Sequence, residues 1–68
     1  MKRVEVSSSM IAAIGYDEQT EAMTVFWNRG TQTDYGNVPK EVFEKFISAP
    51  SVGQFYNQNI KGNQNYTL

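Results

Sequence analysis

The sequence predicts an α+β domain: a small antiparallel β-sheet, built as a meander, with one or two helices packed on one face. Three observations predict it. Ala22 to Trp27 (AMTVFW) is β-branched and aromatic, and the turn signal Asn28-Arg29-Gly30 follows it. Beyond Pro39 the apolar period switches from two to nearly four. The chain has 68 residues, which is room for a single domain spanning 1–68.

Lys2 to Val6 reads as a short edge-like segment with basic and apolar residues alternating. Ser7, Ser8 and Ser9 mark a turn or an exposed lip. Met10 to Tyr16 (MIAAIGY) is the next strand, with Gly15 marking a bulge or a close backbone approach. Asp17 to Glu21 is a polar connection. In the strand Ala22 to Trp27, Met23, Val25 and Trp27 share one face. Gly30 supplies the positive φ of the turn, and Thr31 to Tyr35 returns.

Pro39 suits the first position of a helix, where its missing N–H costs nothing. Val42, Phe43, Phe46 and Ile47 form its apolar stripe, and Lys40, Glu41, Glu44 and Lys45 cover its wet side. Ala49-Pro50 stops it. Ser51 caps a second, shorter helix carrying Val52, Phe55 and Ile60. Gly62 ends that helix, and Asn63 to Leu68 is a tail or a last strand. Trp27, Val25, Phe43, Phe46 and Ile47 are expected in the core.

Composition narrows the function. There is no cysteine, which excludes disulfides and thiolate metal sites. There is no histidine, so zinc would need carboxylates alone, and a general base would need a tuned carboxylate or lysine. Six basic and seven acidic residues give a net charge of −1, which creates no field for steering a long polyanion. No run of apolar residues suits a membrane span or a signal peptide, so the expectation is a cytoplasmic protein without membrane contact. No cofactor, metal or catalytic residue is expected.

The stretch Ser51 to Leu68 stands out. It holds Gln54, Asn57, Gln58, Asn59, Asn63, Gln64 and Asn65 with Phe55, Tyr56 and Tyr66, and Lys61 is its one charge. Amide groups match base edges, and aromatic rings stack on bases. One lysine balances one phosphate. Such a set suits a nucleotide-sized ligand, although surface and turn amides with a core Phe55 are the plainer account of it. The serine run has two readings as well: ligand hydroxyls, or a turn that satisfies local N–H groups. Of Tyr16, Tyr35, Tyr56 and Tyr66, one or two are expected to face a ligand. The carboxylates Asp17, Glu18, Glu21, Glu41 and Glu44 read as solvated charge.

The run Ser8-Ser9-Met10-Ile11-Ala12-Ala13-Ile14-Gly15-Tyr16-Asp17 resembles the opening of the KTSC domain family. The resemblance continues through Met23-x-Val25-x-Trp27, Gly30, Asn37-Val38-Pro39, Val42-Phe43, Ala49-x-Ser51-x-Gly53 and Phe55-Tyr56-Asn57-x-x-Ile60-Lys61. The ordered series at near-constant spacing carries it, over about residues 5 to 66. The family takes its name from the C-terminus of some lysyl-tRNA synthetases, which implies an RNA-binding role. Small phage proteins of similar appearance act as sponges for the cyclic nucleotide signals of bacterial immune systems such as CBASS and Thoeris.

Two departures weigh between these implications. The family's Tyr-x-Tyr stands here as Thr33-Asp34-Tyr35, and Val52, Gln54 and Asn63 are uncharged where relatives often carry Arg or Lys. Lost positive charge weakens binding to a long phosphate backbone. The resemblance therefore implies a homo-oligomeric sponge that holds a cyclic dinucleotide, or a related cyclic oligonucleotide or ADP-ribose isomer, without cleaving it. The alternative is an RNA- or tRNA-binding module. A protein–protein adaptor and a nucleotide hydrolase are weaker readings. The implied ligand residues are Ser8 and Ser9 on phosphate or ribose oxygens, Lys61 on phosphate, Asn57 and Asn59 on a base edge or sugar hydroxyl, and Tyr35 or Tyr56 as the stacking ring.

Overall fold

A computed structural model describes residues 2–66 as a four-stranded antiparallel sheet with two helices, the α+β arrangement expected. The strands are β1 (Lys2–Glu5), β2 (Ile11–Asp17), β3 (Ala22–Trp27) and β4 (Gln32–Tyr35), paired in chain order. The helices are α1 (Lys40–Ser48) and α2 (Val52–Phe55), and α2 runs directly into a π-turn at Tyr56–Ile60. A short 3-10 turn, Gln64–Tyr66, stands where a tail or strand was expected, and residues 67 and 68 lie outside the described range.

The β3–β4 hairpin follows from its turn chemistry. Gly30 donates its N–H to the Trp27 carbonyl at 3.0 Å, and its φ of 99° is open to glycine at no steric cost. In β2 the irregularity falls between Ile11 and Ala13, so Ala12 is the extra residue. Gly15 is not the bulge. It pairs in register with Arg3 and Thr24. The Arg3 guanidinium lies 4.3 Å from the centre of the Phe26 ring, reaching across β2 where Ala13 and Gly15 offer little side chain.

Pro39 caps α1 from an extended conformation (ψ 148°) rather than opening its first turn. Ser51 caps α2 as expected: its Oγ accepts from the N–H of Gln54 at 3.3 Å. Past the π-turn the chain turns at Gly62, with φ of 72°.

The core lies between one face of the sheet and the helices. Ile11, Ile14, Met23 and Val25 from the strands meet Phe43, Phe46, Val52 and Ile60 from the helical half. Phe43 stacks on Tyr16 with centroids 4.8 Å apart, and the Tyr16 hydroxyl donates to the Val38 carbonyl at 2.6 Å. That bond holds the β4–α1 connection against the sheet. Two core expectations need correction. Trp27 and Ile47 are half-buried. Trp27 ends β3, and Ile47 sits in the last turn of α1, where the cover of the opposing layer runs out.

Candidate functional site

At the end of the sheet where β3 turns into β4, an open cleft of about 840 Å³ separates the strand connections from the π-turn. Ser9 and Met10 come from the β1–β2 connection, Trp27, Asn28 and Arg29 from the hairpin, and Tyr56, Asn57 and Lys61 from the helical side. The volume falls in the range of small-molecule sites.

Asn28 fastens the two strand connections together. Its N–H donates to the Met10 carbonyl at 2.8 Å, and its Nδ2 donates to the Ser8 carbonyl at 2.9 Å. The wall formed by residues distant in sequence is therefore held by both backbone and side chain. Met10 is 42% exposed, an apolar side chain standing at the cleft.

The floor is aromatic. Trp27 and Tyr56 meet edge to face with centroids 5.0 Å apart. Behind Tyr56, Phe46 stacks at 6.5 Å and Phe55 lies 5.3 Å from Phe46. The Trp27 indole N–H donates to Thr33 Oγ1 at 3.0 Å, which fixes the ring's orientation. Tyr56 shares a hydroxyl–hydroxyl bond of 2.7 Å with Tyr35. Burial first, then that bond, pushes the Tyr35 phenol well above the ordinary tyrosine range.

The charge of the cleft is positive. Arg29 and Lys61 line it, and no described acid does. Arg29 bonds Thr31 Oγ1 through Nε at 3.0 Å, and its guanidinium carbon sits 5.8 Å from the Trp27 ring centre. Lys61 owes its place to the π-turn. Its N–H donates to the Tyr56 carbonyl at 2.8 Å, a step of five residues. That wider step closes Tyr56, Asn57 and Lys61 around one side of the opening.

Four of the seven residues expected to contact a ligand come together here: Ser9, Tyr56, Asn57 and Lys61. Three do not line the cleft. Ser8 turns its Oγ inward to accept from the N–H groups of Met10 and Ile11 at 3.2 and 3.3 Å, the turn-capping role. Tyr35 stands behind Tyr56. Asn59 bonds the Phe55 carbonyl along its own helix at 3.3 Å. Sequence reasoning missed Met10, Asn28 and Arg29 and placed Trp27 in the core. The signal for Arg29 was available: a cation two residues beyond a tryptophan in a hairpin turn.

A profile of the KTSC domain family matches residues 7–66. A protein of Stutzerimonas stutzeri is 36% identical over 61 residues, covering 90% of this chain and 86% of that one. A lysine–tRNA ligase of Nostoc punctiforme is 37% identical over 54 residues, which is 79% of this chain and 10% of the ligase. The crystal structure of a KTSC domain protein from Yersinia pestis matches with a TM-score of 0.86 at 35% identity, covering 91% of this chain and 87% of that one.

Proposed function

The chain belongs to the KTSC domain family, and from that premise and the cleft's chemistry we propose that it binds and sequesters a small cyclic nucleotide signal without cleaving it. One observation carries the reading: two cations, Arg29 and Lys61, flank the aromatic pair Trp27 and Tyr56 in a cleft whose described lining holds no acid. A nucleotide needs those two things, a cation for each phosphate and a π-surface for the base. Ser9, Asn28 and Asn57 add a hydroxyl and two amides for ribose and base edges.

A binding role also fits what the cleft offers. Among the described residues its lining has no carboxylate, and the chain has no histidine or cysteine to act as base or nucleophile. Two cations suit a compact ligand with two phosphate charges. Sequestration then works by mass action, with each bound signal withheld from its receptor. In this reading the protein is a phage-type immune-evasion sponge acting in the host cytoplasm.

The second reading, an RNA-binding module, rests on the lysine–tRNA ligase relatives, whose substrates include an RNA. It requires further phosphate contacts outside the cleft and affinity that falls steeply with salt.

Isothermal titration calorimetry against cyclic dinucleotides, cyclic trinucleotides and cyclic ADP-ribose isomers tests the proposal. Sub-micromolar binding to one compound, recovered unchanged after heat release, is the expected result. Silence across the panel from folded protein overturns it. Salt-dependent binding to a tRNA would then select the second reading.

A further inference from the structure

Met10 is the one large apolar side chain among the described residues that stands exposed, and it stands at the cleft. From its placement we propose that Met10 is the adjustable apolar wall against which the base of a bound nucleotide packs. That role rests on the nucleotide reading of the cleft and adds to it the contact that receives the base.

A single exposed apolar side chain is ordinary on a protein surface. Two features set this one apart. The first is that its backbone is fastened on both sides. The Met10 N–H donates to Ser8 Oγ at 3.2 Å, and its carbonyl accepts from the N–H of Asn28 at 2.8 Å. Asn28 Nδ2 donates in turn to the Ser8 carbonyl at 2.9 Å. The root of the side chain is thus fixed relative to the hairpin that carries Trp27 and Arg29, while its unbranched torsions stay soft.

The second feature is where the side chain ends. A Cβ on Gly53 would lie 3.5 Å from the Met10 methyl carbon, which is contact distance. Gly53 belongs to α2, and among the described residues the glycines of positive φ are Gly30 and Gly62, so no backbone strain calls for it. The Tyr56 N–H donates to the Gly53 carbonyl. Residues three and four apart share a helix face, so Gly53, Tyr56 and Asn57 lie on one face. Tyr56 and Asn57 line the cleft. Met10 covers the place where that face has no side chain, and it prolongs the aromatic floor with a thioether.

The rings of the floor are locked. The Trp27 indole N–H is held by Thr33 Oγ1 and the Tyr56 hydroxyl by that of Tyr35. They cannot follow the outline of a ligand. Methionine can: it is flexible and polarizable, and its sulfur packs favourably on aromatic rings. A charged or hydrated group pressed against it would lose water and gain no hydrogen bond. The part of a nucleotide that suits Met10 is therefore the flat apolar surface of the base, as the phosphates suit Arg29 and Lys61. A thioether reads flatness rather than a donor pattern. Selection among bases then falls to Ser9, Asn28 and Asn57, the uncharged polar side chains of the lining.

Methyl NMR of the full chain, isotope-labelled at the methionine methyls, tests this with cyclic di-AMP, cyclic di-GMP and cyclic ADP-ribose as probes. Met10→Leu removes the Met10 signal and so assigns it, and the fully buried Met23 is the internal reference. The expected result is nuclear Overhauser contacts from the Met10 methyl to the base protons, with none from Met23. Met10→Gln, close in size but polar, should bind roughly two- to tenfold more weakly by calorimetry, and Met10→Leu should fall between it and the wild type. Binding without a contact from the Met10 methyl, or with equal affinity in Met10→Gln, overturns the role of Met10 and leaves the nucleotide reading standing. A folded chain that binds none of the probes overturns both. Should Met10→Gln disturb the Met23 signal, and with it the core, the contacts seen in the wild type decide alone.

Discussion

Tyr35 and Tyr56, 21 residues apart in the chain, join the sheet to the π-turn through hydroxyls 2.7 Å from each other. The bond has a direct consequence for the cleft. It occupies the polar end of Tyr56 and leaves its ring as the part offered to a ligand. Tyr35→Phe should lower stability by about 1 kcal/mol, the ordinary net worth of one hydrogen bond. Urea denaturation followed by Trp27 fluorescence measures it, since Trp27 touches Tyr56 edge to face. An unchanged midpoint would show that the bond contributes nothing.

The two buried-side phenols set an alkaline limit. Tyr16 is raised by burial and then by the nearby Glu21 and Glu18, and Tyr35 by burial and then by Tyr56. Raised phenols stay protonated in the folded chain after the unfolded chain has lost their protons near pH 10. Their contribution is complete below that value and is lost as pH rises above it. The urea midpoint should therefore hold up to about pH 9 and fall steeply by about pH 11. Tyr35→Phe should fall less steeply than the wild type. A flat profile across this window would contradict the assignment.

Removing Phe46 should cost the most. It is fully buried and stacks on Phe55 and Tyr56, so Phe46→Ala should destabilise by about 3–5 kcal/mol. Trp27→Ala should cost distinctly less, because that ring is half-buried at the end of the sheet. Paired denaturation curves decide the order, and a reversed order would return Trp27 to the core.

Arg29→Ala and Lys61→Ala change exposed side chains, so each should leave stability within about 0.5 kcal/mol. Each removes one charge-assisted contact, worth about 1.5–3 kcal/mol, which corresponds to a roughly tenfold to hundredfold weaker ligand. Calorimetry with the compound that binds the wild type reads the effect. Equal affinity in both variants would remove the cations from the site.

The fold was largely legible because its signals are local. The alternation of Met23, Val25 and Trp27 marks a strand face, and Val42, Phe43, Phe46 and Ile47 mark a helix stripe. Ser51 and Gly30 act where their chemistry says they should. The site was half legible for the opposite reason. Asn28 enters the cleft through bonds to Ser8 and Met10, and no local pattern reports a partner that far back in the chain. Arg29 was hidden by reading its turn as punctuation. Ser8 and Ser9 are chemically identical, and only the backbone path shows that one caps the turn while the other lines the opening. The extra residue at Ala12 shifts register without a compositional mark.

The π-turn bears on the site through its length. A chain one residue shorter between Tyr56 and Lys61 could close an ordinary α-helical turn and keep its backbone bonds. The Lys61 N–H would then reach the same Tyr56 carbonyl from four residues on instead of five, so the lysine would keep its place at the opening. The wider turn thus takes up one residue of length without turning the chain beyond it; what a deletion there changes is which side chains the turn itself presents, Asn57 among them.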